Sequence, residues 1–288
     1  MEQLKRDSDR TRNSMEHFLS TKDFLVSGEE FTLMHDRDRD CLMTSPRVKD
    51  LAPYYHSENY ISHTDTKKGL LPGLYQLAKK ISTGRKIKLI NRYAGKEKSL
   101  LDIGAGTGEF LVEAVKRGYD IAGVEPNKLA RKRAADKGVD LMEELLLDRK
   151  FQIITLWHVL EHLPDPDLEI KKIINLLTDK GTLFIAVPNF RSYDAHHYNE
   201  YWAAYDVPRH IWHFSQKAIQ DLFEAHGMEI VETRPMYFDA YYISMLSEKY
   251  KSGRDRYLNA IYNGFLSNWK ARNTGEYSSL LYIIQKNH

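Results

Sequence analysis

The sequence predicts an α/β protein built on a doubly wound, mostly parallel β-sheet. Short apolar runs alternate with helical patterns between residues 99 and 226, and a glycine-rich turn joins the first run to the helix that follows it. Strands that alternate with helices bury a parallel sheet between two helical layers. The 288 residues, 42% of them hydrophobic, are enough for one large domain of this class with an additional segment.

Each predicted element follows from its local pattern. Apolar runs predict strands at residues 99–103, 121–124, 139–142, 151–156, 181–187, 228–233 and 280–285. Helical spacing of apolar residues predicts helices at residues 109–117, 127–137, 168–177 and 215–226. Gly118 is expected to end the first of these helices, and Ser215 is expected to cap the last. A helical pattern at residues 69–92 is interrupted at residues 82–84, which predicts two helices there.

The chain divides into an extension and a main domain. Residues 1–68 are predicted to form an irregular N-terminal extension that packs on the core, and residues 1–20 are expected to fray or to form a short surface helix. Residues 69–288 are predicted to be the main domain. Within it, residues 190–213 and 237–275 are rich in aromatic and polar side chains and are predicted to be lid insertions.

Composition excludes several classes of protein. The formal net charge is +2, and Lys and Arg are spread along the chain, so no basic field predicts binding to nucleic acid or to an anionic membrane. Cys41 is the single cysteine, which rules out a disulfide within one chain and a zinc site made of several cysteines. No apolar run reaches the length of a membrane span, and residues 1–12 contain no apolar signal core, so we expect a cytoplasmic protein.

A glycine-rich turn is the most informative motif. Asp102 precedes a turn that contains Gly104, Gly106 and Gly108. Glycine permits positive φ and close approach of a ligand, and the helix beyond the turn presents unpaired N–H groups. The dinucleotide-binding pattern would require its third glycine at Glu109, where a carboxylate would oppose a pyrophosphate. The turn therefore indicates a nucleotide-like ligand without a pyrophosphate; the alternative is a tight turn that binds nothing.

An acidic residue follows the second predicted strand. Glu125, which stands before Pro126, could accept hydrogen bonds from both hydroxyls of a ribose. The same arrangement serves NAD, so Glu125 alone does not distinguish between cofactors. The order of strand, turn, helix, strand and acid favours a cofactor site over a turn without a ligand.

These residues resemble motifs of the class I S-adenosylmethionine (SAM)-dependent methyltransferases. The matching segments are residues 101–108, 125–126, 151–165 and 187–189. They look most like bacterial methyltransferase-domain proteins of the ubiquinone O-methyltransferase type, from about residue 98 to residue 227 and more weakly to the C-terminus. The resemblance implies a Rossmann-like, seven-stranded sheet whose last strand is antiparallel and lies beside the sixth.

The resemblance also implies SAM as the cofactor and S-adenosylhomocysteine as its product. The residues implied to contact the cofactor lie in the turn and after the neighbouring strands: Asp102, Gly104, Ala105, Gly106, Gly108, Glu125, Pro126, Met142, Trp157 and His158. Met142 is expected near the adenine, and Trp157 and His158 near the methionine end.

Methyl transfer from a sulfonium is an in-line displacement, so the protein mainly aligns the acceptor, and a base is needed where the acceptor must lose a proton. The catalytic candidates are His210, His162 and Glu161. The substrate-binding candidates are Tyr193, Tyr205, Arg209 and His213, all in the insertion at residues 190–213. The alternatives are that Glu161 pairs locally, that Arg209 is a structural anchor, and that the histidines satisfy backbone carbonyls in a packed lid.

A metal site is not predicted. Residues 158–162, His-Val-Leu-Glu-His, formally match the H-x-x-E-H zinc motif. That motif requires a helix, whereas here it follows a predicted strand and runs into Pro164. His196 and His197 are adjacent, so on a regular element their side chains would point apart.

The sequence thus predicts a SAM-dependent methyltransferase that acts on a small molecule. The expected reaction is O- or C-methylation of an aromatic or quinone, lipid or sugar intermediate. The alternatives are an NAD-dependent oxidoreductase, which Glu109 disfavours, and a non-catalytic SAM-binding protein. No Asn-Pro-Pro-Tyr/Phe motif and no basic tract point to nucleic acid as a partner.

Overall fold

The computed structural model describes residues 15–55, 81–146 and 148–287, which form one sheet of six strands and one of four. The strands are β1 (Met15–Lys22), β2 (Glu30–Asp36), β3 (Cys41–Ser45), β4 (Ser99–Ile103), β5 (Asp120–Val124), β6 (Phe151–Trp157), β7 (Leu177–Pro188), β8 (Trp212–Phe214), β9 (Met228–Pro235) and β10 (Ser279–Lys286).

The helices of the described ranges cover the sheets and connect the strands. They are α1 (Ala52–Tyr55), α2 (residues 81–90), α3 (Glu109–Val115), α4 (Lys128–Ala135), α5 (Pro166–Asn175), α6 (Tyr193–Tyr198), α7 (Gln216–Glu224), α8 (Tyr237–Ser252) and α9 (Tyr257–Thr274). Short 3-10 turns occupy Leu160–His162, Asn199–Tyr201 and Ala203–Tyr205.

The six-stranded sheet has the order β5-β4-β6-β7-β10-β9. β5, β4, β6 and β7 run parallel, and β10 is antiparallel to both of its neighbours. Leu100 and Leu101 are consecutive residues of β4 that point to opposite faces, and they belong to two separate hydrophobic clusters. Both faces of the sheet are therefore packed. Strands buried on both faces are almost continuously apolar. The predicted α/β class and the antiparallel last strand are confirmed.

The strand predicted at residues 139–142 is reduced to a single bridge. Met142 bridges Val124 in parallel at the outer edge of β5, with backbone hydrogen bonds of 2.9 Å on either side. The next residue, Glu143, is charged and forms a salt bridge with Arg131, whose Nη2 lies 2.6 Å from the Glu143 carboxylate. The predicted seven-stranded sheet therefore has, among the described residues, six strands and one bridge.

The helix break that was predicted at residues 82–84 does not occur. α2 runs without a break through these residues, and Ile87 and Ile90 on it are buried against the sheet. A glycine inside a helix lowers its stability by about 1 kcal/mol, less than burial of two such side chains provides. The earlier part of the predicted helical pattern lies outside the described residues.

The predicted helix ends are confirmed. The Ser215 hydroxyl accepts a hydrogen bond from the Ala218 N–H at 3.0 Å and so caps α7. α3 ends before Gly118, which has a φ of +77°. This left-handed conformation, which glycine adopts without strain, closes the helix at the expected position.

The described part of the N-terminal extension, residues 15–55, contains three regular strands, contrary to expectation. β1, β2 and β3 form an antiparallel meander, and β8, from the end of the first insertion, completes the four-stranded sheet. Phe31 and Leu33 on β2 point to a buried cluster that also contains Trp202 of the insertion. Fraying or a surface helix is wrong for residues 15–20, which belong to β1, because pairing with β2 overrides their polar composition.

The second insertion is a pair of packed helices. α8 and α9 pack closely because Gly264 on α9 has no side chain: a Cβ there would lie 2.7 Å from a ring carbon of Tyr241 on α8. In the parts of the chain that the structure describes, no helix combines the length and apolarity needed to cross a membrane.

Candidate active site

The glycine turn between β4 and α3 borders open space at one of its glycines. Gly104, Gly106 and Gly108 have φ values of +70°, +54° and +73°. A Cβ on Gly104 would lie 2.4 Å from the Val159 side chain, and one on Gly108 would lie 3.0 Å from Ala134, so these two glycines permit close packing. Apart from its two neighbours in the chain, no heavy atom of the described residues lies within 4 Å of the Cβ position of Gly106. The backbone at Gly106 is therefore accessible to a ligand.

Glu125 connects the end of β5 to this turn. One carboxylate oxygen accepts a hydrogen bond from the Gly106 N–H at 2.9 Å, and the other accepts from the Asn127 N–H at 2.8 Å. A carboxylate has about four acceptor positions, so both oxygens retain capacity for a further donor. Two backbone donors thus fix the predicted acid beside the open space at Gly106.

Asp102 is buried near the end of β4. Its side chain is 2% exposed and accepts a hydrogen bond from the Thr155 hydroxyl at 2.5 Å. Burial raises the pKa of Asp102 to about 7, although the Thr155 hydrogen bond and the positive charge of Lys86 oppose this shift. A carboxyl that titrates near neutral pH responds strongly to a nearby cation, which favours its ionised form.

The indole of Trp157 lies at the end of β6 between a cation and an aromatic ring. Lys86 Nζ lies 4.0 Å from the centroid of an indole ring, and the Phe110 ring packs against the indole edge-to-face at 5.4 Å. The indole N–H is buried and has no hydrogen-bond acceptor in residues 15–55, 81–146 and 148–287. Leaving a buried donor unpaired is unfavourable, so this N–H indicates a contact for a bound molecule.

His158 has a strained backbone and a charged side chain. Its φ is +58°, and its N–H donates to the Ala186 carbonyl oxygen at 2.9 Å. The imidazole lies between two acids, with Nε2 3.1 Å from Asp239 Oδ2 and Nδ1 3.5 Å from Glu161 Oε1. Burial alone would lower the pKa of His158, but the two acids outweigh it and raise the pKa to about 9. His158 is therefore protonated at neutral pH.

The carboxylate of Glu161 is buried among three imidazoles. The residue is 1% exposed, and within the described part of the chain neither carboxylate oxygen receives a hydrogen bond. His210 Nε2 lies 4.0 Å from Oε1. Burial raises the pKa of Glu161, but His158, His210 and His162 outweigh it and hold the pKa below its usual value. The ionised carboxylate can thus accept a hydrogen bond from an incoming group.

The rings of His210 and His162 lie near this carboxylate. His210 Nδ1 lies 2.8 Å from the Ala204 carbonyl oxygen, and His162 Nδ1 lies 2.9 Å from the Arg209 carbonyl oxygen. A carbonyl oxygen only accepts, so each Nδ1 carries the hydrogen, and in the neutral form of either ring the lone pair lies on Nε2. Burial and the neighbouring His210 lower the pKa of His162 to about 4, so His162 is a weak base.

Glu161, His162 and His210 also form a donor set suited to a metal ion. One ligand atom from each lies within 4.8 Å of the other two. Two imidazoles and a carboxylate suit divalent transition metals. Leu160–His162 form a single 3-10 turn in place of the helix that the H-x-x-E-H motif requires. The third donor, His210, comes from the insertion. The sequence argument against a metal site rested on the local H-x-x-E-H pattern and did not include His210.

The residues predicted to bind the cofactor share one edge of the sheet. Asp102 and the glycine turn end β4, Glu125 and Pro126 follow β5, and Trp157 and His158 end β6. Met142 lies beside the end of β5 through its bridge to Val124. The carboxyl ends of adjacent parallel strands are where open α/β sheets bind ligands.

A family model described as a methyltransferase domain matches residues 76–233, more than half of the chain. The chain belongs to this methyltransferase family. The resemblance to class I SAM-dependent methyltransferases that the sequence predicts is confirmed. The glycine turn, Glu125 and the cluster around Glu161 all lie within the residues that the model matches.

Two curated relatives of this methyltransferase are ubiquinone biosynthesis O-methyltransferases. The protein of Aeromonas salmonicida is 30% identical over 104 residues, which are 32% of this chain and 44% of that protein. The protein of Actinobacillus pleuropneumoniae serotype 5b is 34% identical over 109 residues, which are 32% of this chain and 46% of that protein. The chain therefore spans less than half the length of these curated relatives.

A solved structure shares the fold of the methyltransferase. It is the magnesium protoporphyrin IX methyltransferase of Synechocystis with bound S-adenosylhomocysteine, with a TM-score of 0.55, 12% identity, and coverage of 81% of this chain and 97% of that chain. At this identity the likeness shows the fold alone.

Arg209 was predicted to bind substrate, and the structure corrects this prediction. The residue is 1% exposed, and its guanidinium donates to Asp206 and to Asp23, at 2.6 and 2.9 Å, and to the Tyr54 carbonyl oxygen at 3.2 Å. Burial lowers the pKa of Arg209, but the two carboxylates outweigh it and raise the pKa above its usual value. Arg209 joins the insertion to the N-terminal extension and has no group to offer a substrate.

His213 and Tyr205 were also predicted to bind substrate, and both are buried in the four-stranded sheet region. The His213 Nε2 lies 3.1 Å from the Thr44 hydroxyl, and burial lowers the pKa of His213 well below its usual value. The Tyr205 ring packs edge-to-face on Trp202 and on His213. Burial of both side chains disfavours direct contact with a substrate, and their role in binding one stays a prediction.

Tyr193 is half-buried at the start of α6. Its ring stacks on His197 at 5.7 Å, and Lys270 Nζ lies 3.9 Å from the ring centroid. These contacts belong to the side of the insertion that faces α9. The role of Tyr193 in binding a substrate stays a prediction.

Sequence reasoning missed two residues that complete the site. Lys86 reaches Trp157 from α2, and Asp239 reaches His158 from α8. Neither carries a local motif, since one lies in an ordinary helical pattern and the other in an aromatic stretch. Their roles depend on contacts between distant segments, which spacing along the chain does not predict.

Proposed function

We propose that this methyltransferase binds SAM at the carboxyl ends of β4, β5 and β6 and transfers the methyl group to a small molecule. The observation that carries the proposal is the open space at Gly106, bordered by the oriented carboxylate of Glu125. SAM has a carboxylate, an ammonium and two ribose hydroxyls but no phosphate, which suits a turn that is followed by Glu109. When bound, the cofactor supplies an activated methyl carbon.

The residues that would hold the cofactor fit its polar groups. Glu125 would accept from the ribose hydroxyls with its remaining lone pairs, and Asp102 would favour the ammonium, which in turn would stabilise the ionised carboxyl. The unpaired indole N–H of Trp157 would donate to an oxygen of the ligand. Ala105, Gly104, Gly106, Gly108, Pro126 and Met142 complete the proposed contacts along the same strand ends.

For the acceptor, we propose that His210 removes the proton of a hydroxyl group. Its Nε2 faces Glu161, and the 4.0 Å between Nε2 and the carboxylate leaves the two groups without a direct hydrogen bond. The acceptor hydroxyl would pass its proton to Nε2, and its oxygen would thereby gain the negative charge that makes it a nucleophile. Protonated His158, 3.5 Å from Glu161, balances the carboxylate during this step.

The acceptor class that we propose is an aromatic or quinone-type hydroxyl, with O-methylation as the reaction. The two ubiquinone biosynthesis O-methyltransferases support this choice over a lipid or sugar acceptor. We further propose that residues 69–288 are the catalytic domain and that residues 1–68 support the acceptor side, since Arg209 and β8 link the extension to the insertion.

A labelled-methyl assay tests the proposal. The protein would be incubated with SAM labelled on the methyl group and with a panel of phenols, catechols and hydroquinones, and label in the extracted acceptor would be counted. We expect transfer by the wild type and loss of transfer, with cofactor binding intact, in His210→Gln. The exposed His196→Gln is the matched control and should transfer normally.

Four outcomes would contradict the proposal. Transfer that persists in His210→Gln would exclude His210 as the base, and transfer abolished by a chelator and restored by a divalent metal would assign the cluster to a metal ion instead. Binding of S-adenosylhomocysteine without transfer to any acceptor or to a cell extract would favour the non-catalytic reading. Enhancement of NADH fluorescence on mixing would favour an oxidoreductase.

A further inference from the structure

The helix α9 exposes its large apolar side chains and buries its small ones. The exposed apolar stripe consists of Leu258, Ile261, Tyr262, Phe265 and Trp269, of which Leu258 is 83% exposed and Phe265 and Trp269 are each 54% exposed. Their spacing of three or four residues places them on one helical face. The residues buried toward the protein are small: Ala260, Asn263, Gly264, Ser267 and Ala271. A soluble surface helix normally has the opposite arrangement, so the stripe indicates a binding surface.

The stripe is flanked by basic side chains. Between residues 249 and 272 there are six basic side chains and one acidic side chain, Asp255, whereas the whole chain has a net charge of +2. All six are exposed and lie around the two ends of α9: Lys249, Lys251, Arg254, Arg256, Lys270 and Arg272. None of the six forms a salt bridge with another residue of the described ranges. These cations therefore give the surface beside the stripe a local positive charge.

A cavity of about 610 Å³ opens between α8 and α9 beside the stripe. Lys251, Arg256 and Asn259 line it, together with Tyr262 from the stripe itself. Glu248 also lines the cavity, but it accepts hydrogen bonds from Tyr198 and Asn263, each at 3.2 Å. The cations at this cavity therefore have room for an anionic group next to an apolar surface.

We infer that the α9 stripe docks on an anionic lipid surface, with its apolar side chains among the acyl chains and its flanking cations on the phosphate headgroups. A helix of this kind, with aromatic and aliphatic residues on one face and Lys and Arg at its borders, lies in the plane of the membrane interface. The cavity lined by Lys251 and Arg256 takes one headgroup phosphate.

Charge complementarity favours a lipid surface over a second copy of the chain. In a symmetric dimer through this face, each patch would meet itself, and the basic side chains of one copy would face those of the other. An anionic bilayer neutralises them instead, and each Lys or Arg near such a surface contributes to binding.

Vesicle flotation tests this inference on the full-length protein. The vesicles would contain phosphatidylcholine alone or phosphatidylcholine with phosphatidylglycerol. We expect the wild type to float with the anionic vesicles and not with the neutral ones. Leu258→Gln with Phe265→Gln should weaken binding about tenfold or more, because each removes an apolar side chain from the lipid. Arg254→Gln with Arg256→Gln should weaken it and reduce its dependence on salt.

Matched controls separate docking from folding. Leu129→Gln with Leu168→Gln changes two exposed apolar residues on other helices, and Lys128→Gln with Lys171→Gln changes two exposed cations, so both should bind as the wild type does. Circular dichroism should be unchanged in all variants. Failure of the wild type to bind anionic vesicles, or equal binding by stripe and control variants, would overturn the inference. A dimer in solution that the stripe variants dissociate would assign the surface to a second copy.

Discussion

Asp239, near the start of α8, holds the imidazole of His158 at the end of β6, with Oδ2 3.1 Å from Nε2 across a separation of 81 residues. This contact joins the second insertion to the candidate active site and holds a protonated histidine beside Glu161. The insertion therefore contributes a side chain to the proposed site as well as the docking surface proposed for α9.

Asp239→Asn should lower the pKa of His158 from about 9 toward its ordinary value of 6.5, because the variant removes a negative charge from Nε2. In the wild type the raised pKa stabilises the fold fully below pH 6.5, and this contribution is lost as the pH rises through about 9. An NMR titration of the imidazole measures the shift. The exposed Asp255→Asn is the control, and an unchanged pKa in Asp239→Asn would show that other groups charge His158.

Glu125→Gln should weaken binding of S-adenosylhomocysteine roughly ten- to hundredfold, since hydrogen bonds to a charged acceptor are stronger than those to a neutral one. Isothermal titration calorimetry measures the change. Glu143→Gln, which alters an exposed acid at the same edge of the sheet, should bind normally. Equal affinity in the two variants would place the ribose elsewhere.

Affinity for SAM should fall as the pH drops below about 7 because Asp102, whose pKa burial raises to about 7, becomes neutral and no longer attracts the ammonium. Titrations between pH 6 and pH 8 measure this dependence. Asp102→Asn should bind more weakly at pH 8 and show a flat profile over this range. A wild-type profile as flat as that of the variant would remove Asp102 from the cofactor site.

Gly104→Ala should destabilise the protein more than Gly106→Ala. Both place a side chain at positive φ, which costs roughly 1–2 kcal/mol, but only the Cβ at position 104 would collide with Val159, at 2.4 Å. Thermal unfolding measures the difference in stability. Gly106→Ala should instead impair cofactor binding, because its Cβ enters the open space. Similar unfolding temperatures for the two variants would contradict the packing described for Gly104.

Arg209→Met should destabilise the protein by about 3–5 kcal/mol, because Asp23 and Asp206 would lose the cation that offsets their buried charges. Urea denaturation measures the loss. The exposed Arg191→Met removes an ion pair to Asp40 and should cost under about 1 kcal/mol. Loss of activity in Arg209→Met without loss of stability would return Arg209 to the substrate site.

The core of the fold could be predicted because its signals are local. The apolar strands other than the one predicted at residues 139–142, the Ser215 cap and the turn at Gly104–Gly108 each follow from residues adjacent in sequence, and the structure places them as expected. The same holds for Glu125, which stands at a fixed distance after the turn. Parallel strands then bring these segments together at one edge without further information.

The acceptor side could not be predicted in the same way. His210 lies near Glu161 because the insertion folds over the sheet. Arg209 forms an ion pair with Asp23 of the N-terminal extension, whose strands were not predicted because its composition is polar. A histidine or arginine in an aromatic loop has the same local signal whether it binds a substrate or holds two segments together. The distinction depends on burial and on partners far along the chain.

A crystal soaked with S-adenosylhomocysteine tests the central claim most directly. We expect electron density for the ligand beside Gly106, with the ribose hydroxyls on Glu125 and the amino group near Asp102. An empty crevice at saturating ligand, or the ligand bound at another place on the protein, would contradict it.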